Sequence, residues 1–99
     1  MSVAEPVLKV EALDAVTVLT LNRPDRRNAL NAELCRAIHS AALQAVESQA
    51  RVLVITGEGT AFCAGADLGG VYGDEFLEAL YSMLHGLAAL PIPIIAAVN

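Results

Sequence analysis

Val52-Leu53-Val54-Ile55-Thr56 runs directly into Gly57-Glu58-Gly59-Thr60-Ala61-Phe62-Cys63-Ala64-Gly65-Ala66-Asp67-Leu68, and this passage decides the reading of the chain. A continuous, mostly β-branched apolar run with no alternating polar positions predicts a short strand covered on both faces, as in the parallel sheets of α/β proteins. In the segment that follows, Gly57, Gly59 and Gly65 permit positive φ, and Ala64 and Ala66 are small enough for a ligand to approach the backbone. Two phosphate-binding patterns fail here. No Gly-Lys-Ser/Thr closes the loop, and after Gly57 and Gly59 the third glycine position of the dinucleotide pattern is Phe62. What remains is a loop whose backbone N–H groups can face an oxygen atom. Tight packing of a connection is the plainer use of the same small residues.

Toward the N-terminus, Leu34, Ile38, Ala41, Ala42 and Ala45 recur at helical spacing and predict a helix from Ala32 to about Glu47, with Asn31 placed to cap it. Asn22-Arg23-Pro24-Asp25-Arg26-Arg27 before it reads as a loop, because Pro24 keeps Arg23 out of helical geometry. Val7 to Leu13 and Val16 to Leu21 predict two antiparallel strands that turn near Asp14 and Ala15. Toward the C-terminus, Asp74 to about Ala88 predicts a second helix with a stripe of Leu77, Leu80, Leu84 and Leu87. Pro91 and Pro93 end it, and Ile94-Ile95-Ala96-Ala97-Val98 predicts a last, buried strand. The order β-β-α-β-α-β implies an α/β fold with a mostly parallel sheet and right-handed crossovers. Ligands of such sheets bind beyond the carboxyl ends of strands. The glycine loop leaves one such end, and a further functional loop is expected after Asn99.

The 99 residues are 56% apolar and 17% charged, more apolar than a small free-standing domain needs, which predicts packing against more chain or other subunits. A net charge of −5 argues against nucleic acid as a partner. It leaves room for a small anionic ligand, because Arg23, Arg26 and Arg27 concentrate half of the six basic residues in one turn. Two cysteines are too few for a disulfide framework, no secretory signal or membrane-spanning run is visible, and a cytoplasmic location is expected. Cys35 and His39 share a helical face, but zinc needs three or four ligands and only Cys63 and His85 remain, so no metal site is expected. Cys63 reads as a small packing residue, and Glu75 and Glu78 as the solvated face of their helix.

Leu21-Asn22-Arg23-Pro24, Arg27-Asn28-Ala29-Leu30-Asn31, the run Ala61 to Leu68 and the closing Pro93 to Asn99 together resemble, in order and spacing, the crotonase (enoyl-CoA hydratase/isomerase) superfamily. The resemblance covers nearly the whole chain. It implies the N-terminal part of a crotonase-type ββα spiral fold, with residues 1–99 the first segment of a single domain whose C-terminal part lies beyond them. It further implies an acyl-CoA substrate, coenzyme A entering as part of that substrate with no separate cofactor, a role in fatty acid metabolism, and assembly as a homotrimer or hexamer.

Carried over by position, the resemblance makes the Ala66 backbone N–H the first donor of an oxyanion hole for the thioester. Asp67, Leu68 and Gly69 line the same substrate stretch. The backbone at Phe62 and Ala64 lies along the pantetheine and adenine. Asp25, Arg26, Arg27 and Ala29 border the nucleotide, with Arg26 or Arg27 pairing with its phosphates. The family often has a basic residue where Asp25 stands. Tyr81 on the second helix borders the acyl group. The second oxyanion donor and the glutamates for acid/base work belong to the family's next segment. This segment alone is therefore expected to be inactive, whether the protein is a hydratase or isomerase or, alternatively, a non-catalytic crotonase-fold acyl-CoA-binding protein of lipid metabolism. A fragment without function of its own is the third reading.

Overall fold

A computed structural model of the chain describes residues 6–66 and 73–99. Strands β1 (Leu8–Leu13) and β2 (Val16–Leu21) form a hairpin, followed by helix α1 (Ala32–Glu47), strand β3 (Val52–Gly57), helix α2 (Asp74–Ala88) and strand β4 (Ile94–Ala97). The hairpin turns through Asp14, whose φ of 54° places it in the left-handed region that Asp tolerates better than most residues. A single turn of 3-10 helix, Pro24–Arg26, lies in the segment expected to be a plain loop. Pro24 explains it: its ring presets a helical φ at a first position where no amide donor is needed. Asn31 caps α1 as the sequence implies, its side chain accepting from the Leu34 amide at 2.9 Å.

The four strands lie in the order β1-β2-β3-β4, with the first pair antiparallel and the other two parallel. Leu21 is opposite Gly57, and Thr56 is opposite Ala97. The carboxyl ends of β2, β3 and β4 therefore meet at one end of the sheet. The arginine-rich turn, the glycine loop and Asn99 all emerge there.

One face of the sheet carries the core. Leu19 and Leu21 of β2 and Leu53 and Ile55 of β3 pack with Leu34, Cys35, Ile38, Ala41, Ala42 and Ala45 of α1 and with Phe76, Ala79 and Met83 of α2. Alanine on α1 lets that helix approach the strands closely.

Three packing expectations are corrected. β3 is not covered on both faces: Leu53, Ile55 and Gly57 are buried while Val52, Val54 and Thr56 are half-exposed, since both helices lie on the same side. β4 is exposed at all four positions, because it is the edge strand and no described residue covers it. On α2 the buried stripe is Phe76, Ala79 and Met83; Leu77 and Leu84 of the expected stripe face outward, 47% and 48% exposed. Both stripes have helical spacing, so periodicity alone did not choose between them.

Candidate functional site

Backbone conformation builds the arginine-rich turn. After the 3-10 turn, Arg27 and Asn28 both adopt left-handed φ, 53° and 57°. This reverses the chain so that Arg26 and Arg27 stay at the surface while Asn28 is driven inward to 0% exposure. A buried primary amide must be satisfied at both ends. Asn28 Oδ1 accepts from the Arg23 amide at 2.7 Å, and Nδ2 donates to the carbonyls of Glu58 at 3.0 Å and Ala61 at 2.8 Å. Its single side chain thus joins the turn to the glycine loop.

The loop comes close enough to need Gly57. A Cβ there would lie 2.5 Å from the Phe62 carbonyl oxygen, 2.6 Å from that of Ala61 and 2.8 Å from Asn28 Nδ2. Further along, the Ala64 amide donates to the Arg27 carbonyl at 3.0 Å, and the Leu30 amide donates to the Gly65 carbonyl at 2.7 Å. Asn99 holds the loop from the other side, its Nδ2 donating to the carbonyls of Gly57 at 3.0 Å and Gly59 at 2.7 Å.

These bonds orient the peptide between Gly65 and Ala66. No cis peptide occurs among the described residues, and in a planar trans unit the C=O and N–H point in opposite directions. With the Gly65 oxygen turned toward Leu30, the Ala66 N–H is turned away from the arginine turn. Ala66 is exposed, and no acceptor among the described residues takes its N–H. Gly65 has a φ of 99°, a conformation that L side chains rarely adopt.

Arg26 and Arg27 are exposed, and the Arg27 carbonyl adjoins Ala64. The exposed Ala64 belongs to the same junction, although its amide is already engaged by Arg27. Phe62 is half-buried and packs against the core. Ala29 is buried, and its carbonyl accepts from Arg23 Nη1, so any part it plays is in support of the turn. Tyr81 is 58% exposed on α2, with its ring edge-on to His85 at a centroid distance of 6.4 Å. Asp67, Leu68 and Gly69 lie outside the described residues. Sequence reasoning missed Asn28 and Asn99 as structural parts of the site. The sequence offered only their positions, one asparagine directly after the arginines and the other after the last strand.

Charged and sulfur groups near the loop have other duties. Glu58 lies 3.6 Å from Lys9 at the surface, and Glu75 pairs with Arg36 at 3.0 Å, in keeping with a solvated helix face. Burial pushes the Cys35 thiol up, with Cys63 adding to the effect and Arg36 opposing it. Both cysteines are free, and Cys63 is half-buried and packs against the core as a small residue would. No group of three metal-ligating side chains occurs among the described residues. No helix of the described residues is long and apolar enough to cross a membrane.

A sheet that is parallel from β2 to β4 and edged by an antiparallel hairpin strand, with two helices on one face and two loops knitted together at its carboxyl end, defines the N-terminal part of a crotonase-type α/β fold. Solved structures share it. A Pseudomonas aeruginosa protein, PA4980, superposes with a TM-score of 0.88 at 31% identity, covering 99% of this chain and 46% of its own. An enoyl-CoA hydratase of Mycobacterium smegmatis superposes with a TM-score of 0.82 at 34% identity, covering 95% of this chain and 40% of its own. The family model for enoyl-CoA hydratase/isomerase matches residues 11–99, and the chain belongs to that family. Among curated relatives, the probable enoyl-CoA hydratase echA6 of Mycobacterium tuberculosis is 38% identical over 94 residues, which are 94% of this chain and 39% of the relative. A probable enoyl-CoA hydratase of Rhodobacter capsulatus is 38% identical over 98 residues, 93% of this chain and 38% of the relative. The chain thus spans well under half the length of these curated relatives.

Proposed function

We propose that this chain supplies one wall of an acyl-CoA thioester site. In it the Ala66 N–H donates to the thioester carbonyl, and Arg26 and Arg27 receive the nucleotide phosphates. The observation that carries the reading is the peptide between Gly65 and Ala66, held at its carbonyl by Leu30 so that the N–H is presented outward. Such a donor is worth roughly 3 kcal/mol when charge develops on the carbonyl oxygen. In the hydratase or isomerase reading, acid/base groups that the described residues do not bring to the loop move the protons. Glu58 and Glu75 support this division, because both are held in surface ion pairs. The second reading, a non-catalytic acyl-CoA binder, uses the same wall.

The exposed Leu77, Leu84, Ile94 and Ile95 support the expectation that the segment works against further protein surface. Calorimetric titration with an acyl-CoA and with free coenzyme A tests the proposal, comparing the chain with an Arg26→Ala/Arg27→Ala variant. Weakening of both ligands by about three- to tenfold at low salt is expected, shrinking as salt rises. Unchanged affinity for coenzyme A at low salt removes the arginines from the site. Loss of crotonyl-CoA ultraviolet absorbance separates a hydratase from a binder when the protein tested also carries the acid/base groups.

A further inference from the structure

The glycine loop is gripped from two sides by two carboxamides, and neither gripping group would itself touch a substrate carbonyl. From the turn side, Asn28 Nδ2 takes the carbonyls of Glu58 and Ala61 at 3.0 and 2.8 Å. From the β4 side, Asn99 Nδ2 takes those of Gly57 and Gly59 at 3.0 and 2.7 Å. Four carbonyls between residues 57 and 61 are thereby committed to two side chains. Both hydrogens of each amide are used, which fixes each carboxamide plane. Asn28 has no freedom left, since it is wholly buried and its Oδ1 holds the Arg23 amide at 2.7 Å.

From this geometry we infer that Asn28 and Asn99 form a two-sided clamp whose task is to position the Ala66 amide. Asn28 and Asn99 are positioning residues. The inference rests on the thioester-site reading for its purpose, and on the hydrogen bonds alone for its mechanics. The mechanical path is short. Asn28 is flanked by Arg27, whose carbonyl holds the Ala64 amide at 3.0 Å, and is two residues from Leu30, whose amide holds the Gly65 carbonyl at 2.7 Å. The side chain that fixes the start of the loop and the backbone that fixes its end thus belong to one turn of the chain. Asn99, following β4, ties the third parallel strand to the same loop. Phe62 and Cys63 anchor the loop to the core, but Ala64, Gly65 and Ala66 are exposed and have no large side chain to hold that peptide in line. An oxyanion donor is effective only if it is aimed before charge develops.

The test uses near-isosteric changes, Asn28→Asp and Asn99→Asp, each of which removes the donating NH2 and keeps an acceptor. Two readouts are needed. The first, independent of ligand, is hydrogen exchange at the Leu30 and Ala64 amides, compared with amides within α1. Each variant is expected to lower protection at Leu30 and Ala64 by about tenfold or more while α1 amides stay within about threefold. The second is the infrared stretch of a 13C-labelled thioester carbonyl in bound acyl-CoA. The wild-type chain is expected to shift it to lower wavenumber, and each variant to bind the ligand while giving a smaller or broadened shift. Unchanged protection in Asn99→Asp, an exposed position whose substitution spares the buried turn, overturns the clamp; so does a wild-type carbonyl shift in a variant whose protection has fallen. If wild-type protein binds acyl-CoA without shifting the carbonyl while both variants lose protection, the thioester-site reading fails. The clamp then stands as a loop-holding device, but its assigned purpose is overturned.

Discussion

Replacing Gly57 with alanine places a methyl group where three atoms already stand, 2.5 Å from the Phe62 oxygen, 2.6 Å from the Ala61 oxygen and 2.8 Å from Asn28 Nδ2. Two of the three are backbone atoms, so no flexible chain end can swing aside. The loop must retreat by roughly half an ångström or more to restore ordinary contact. Overpacking of this kind costs about 1–3 kcal/mol. Retreat also stretches the 2.8 Å bond from Asn28 to Ala61. A buried donor left without its partner adds about 1–3 kcal/mol. The expected total is about 2–6 kcal/mol, a large share of the roughly 5–15 kcal/mol that holds a domain together. Urea unfolding followed by circular dichroism, at protein concentrations low enough to suppress association, measures it. Gly73→Ala serves as the comparison, because a Cβ there meets nothing within 4 Å. A Gly57→Ala midpoint indistinguishable from that of Gly73→Ala would refute the claim that turn and loop are in close contact.

Four further outcomes follow from the packing. A thiol reagent at neutral pH is expected to modify Cys63 in the folded chain and to reach the fully buried Cys35 only on unfolding; equal labelling rates would contradict this. Because burial raises the Cys35 thiol above its ordinary value of 9.0, its contribution to stability is full below that pH and declines as pH rises above it. Urea midpoints should therefore fall in alkali, and less so in Cys35→Ala. A Cβ on Gly86 would overlap the His39 imidazole, so the gain of about 1 kcal/mol expected for alanine inside a helix should appear in a His39→Ala background and be cancelled in the wild type; additivity in that double-mutant cycle would exclude the contact. Ile95 is 53% exposed on the edge strand, and Ile95→Lys should reduce concentration-dependent association in sedimentation velocity; unaltered association would place the contact elsewhere.

Local chemistry made most of the framework legible. Asn31 before an Ala- and Leu-rich periodic run marks the start of α1 because a capping oxygen and a helical stripe are both local signals. Pro91 and Pro93 likewise mark the end of α2. The burial pattern was not legible, because it depends on which face a neighbour occupies. β3 has the composition of a strand covered twice, yet Val52 and Val54 are half-exposed. On α2, Leu77 and Leu84 look like a core stripe by hydrophobicity, but Phe76, Ala79 and Met83 take the core. At the site, small residues around Ala66 signalled an accessible backbone. Nothing local revealed that Asn28 would be buried, since its left-handed φ and its partners thirty or more residues away emerge only when turn and loop meet.

The presentation of the Ala66 amide to a thioester oxygen can be observed at that atom. In 15N-labelled protein, saturation with an acyl-CoA is expected to move the Ala66 amide proton downfield, as a new hydrogen bond to a carbonyl requires, while free coenzyme A leaves it in place and perturbs only the Arg26 and Arg27 region. An Ala66 resonance that responds identically to the two ligands, or to neither while both bind, would contradict the account.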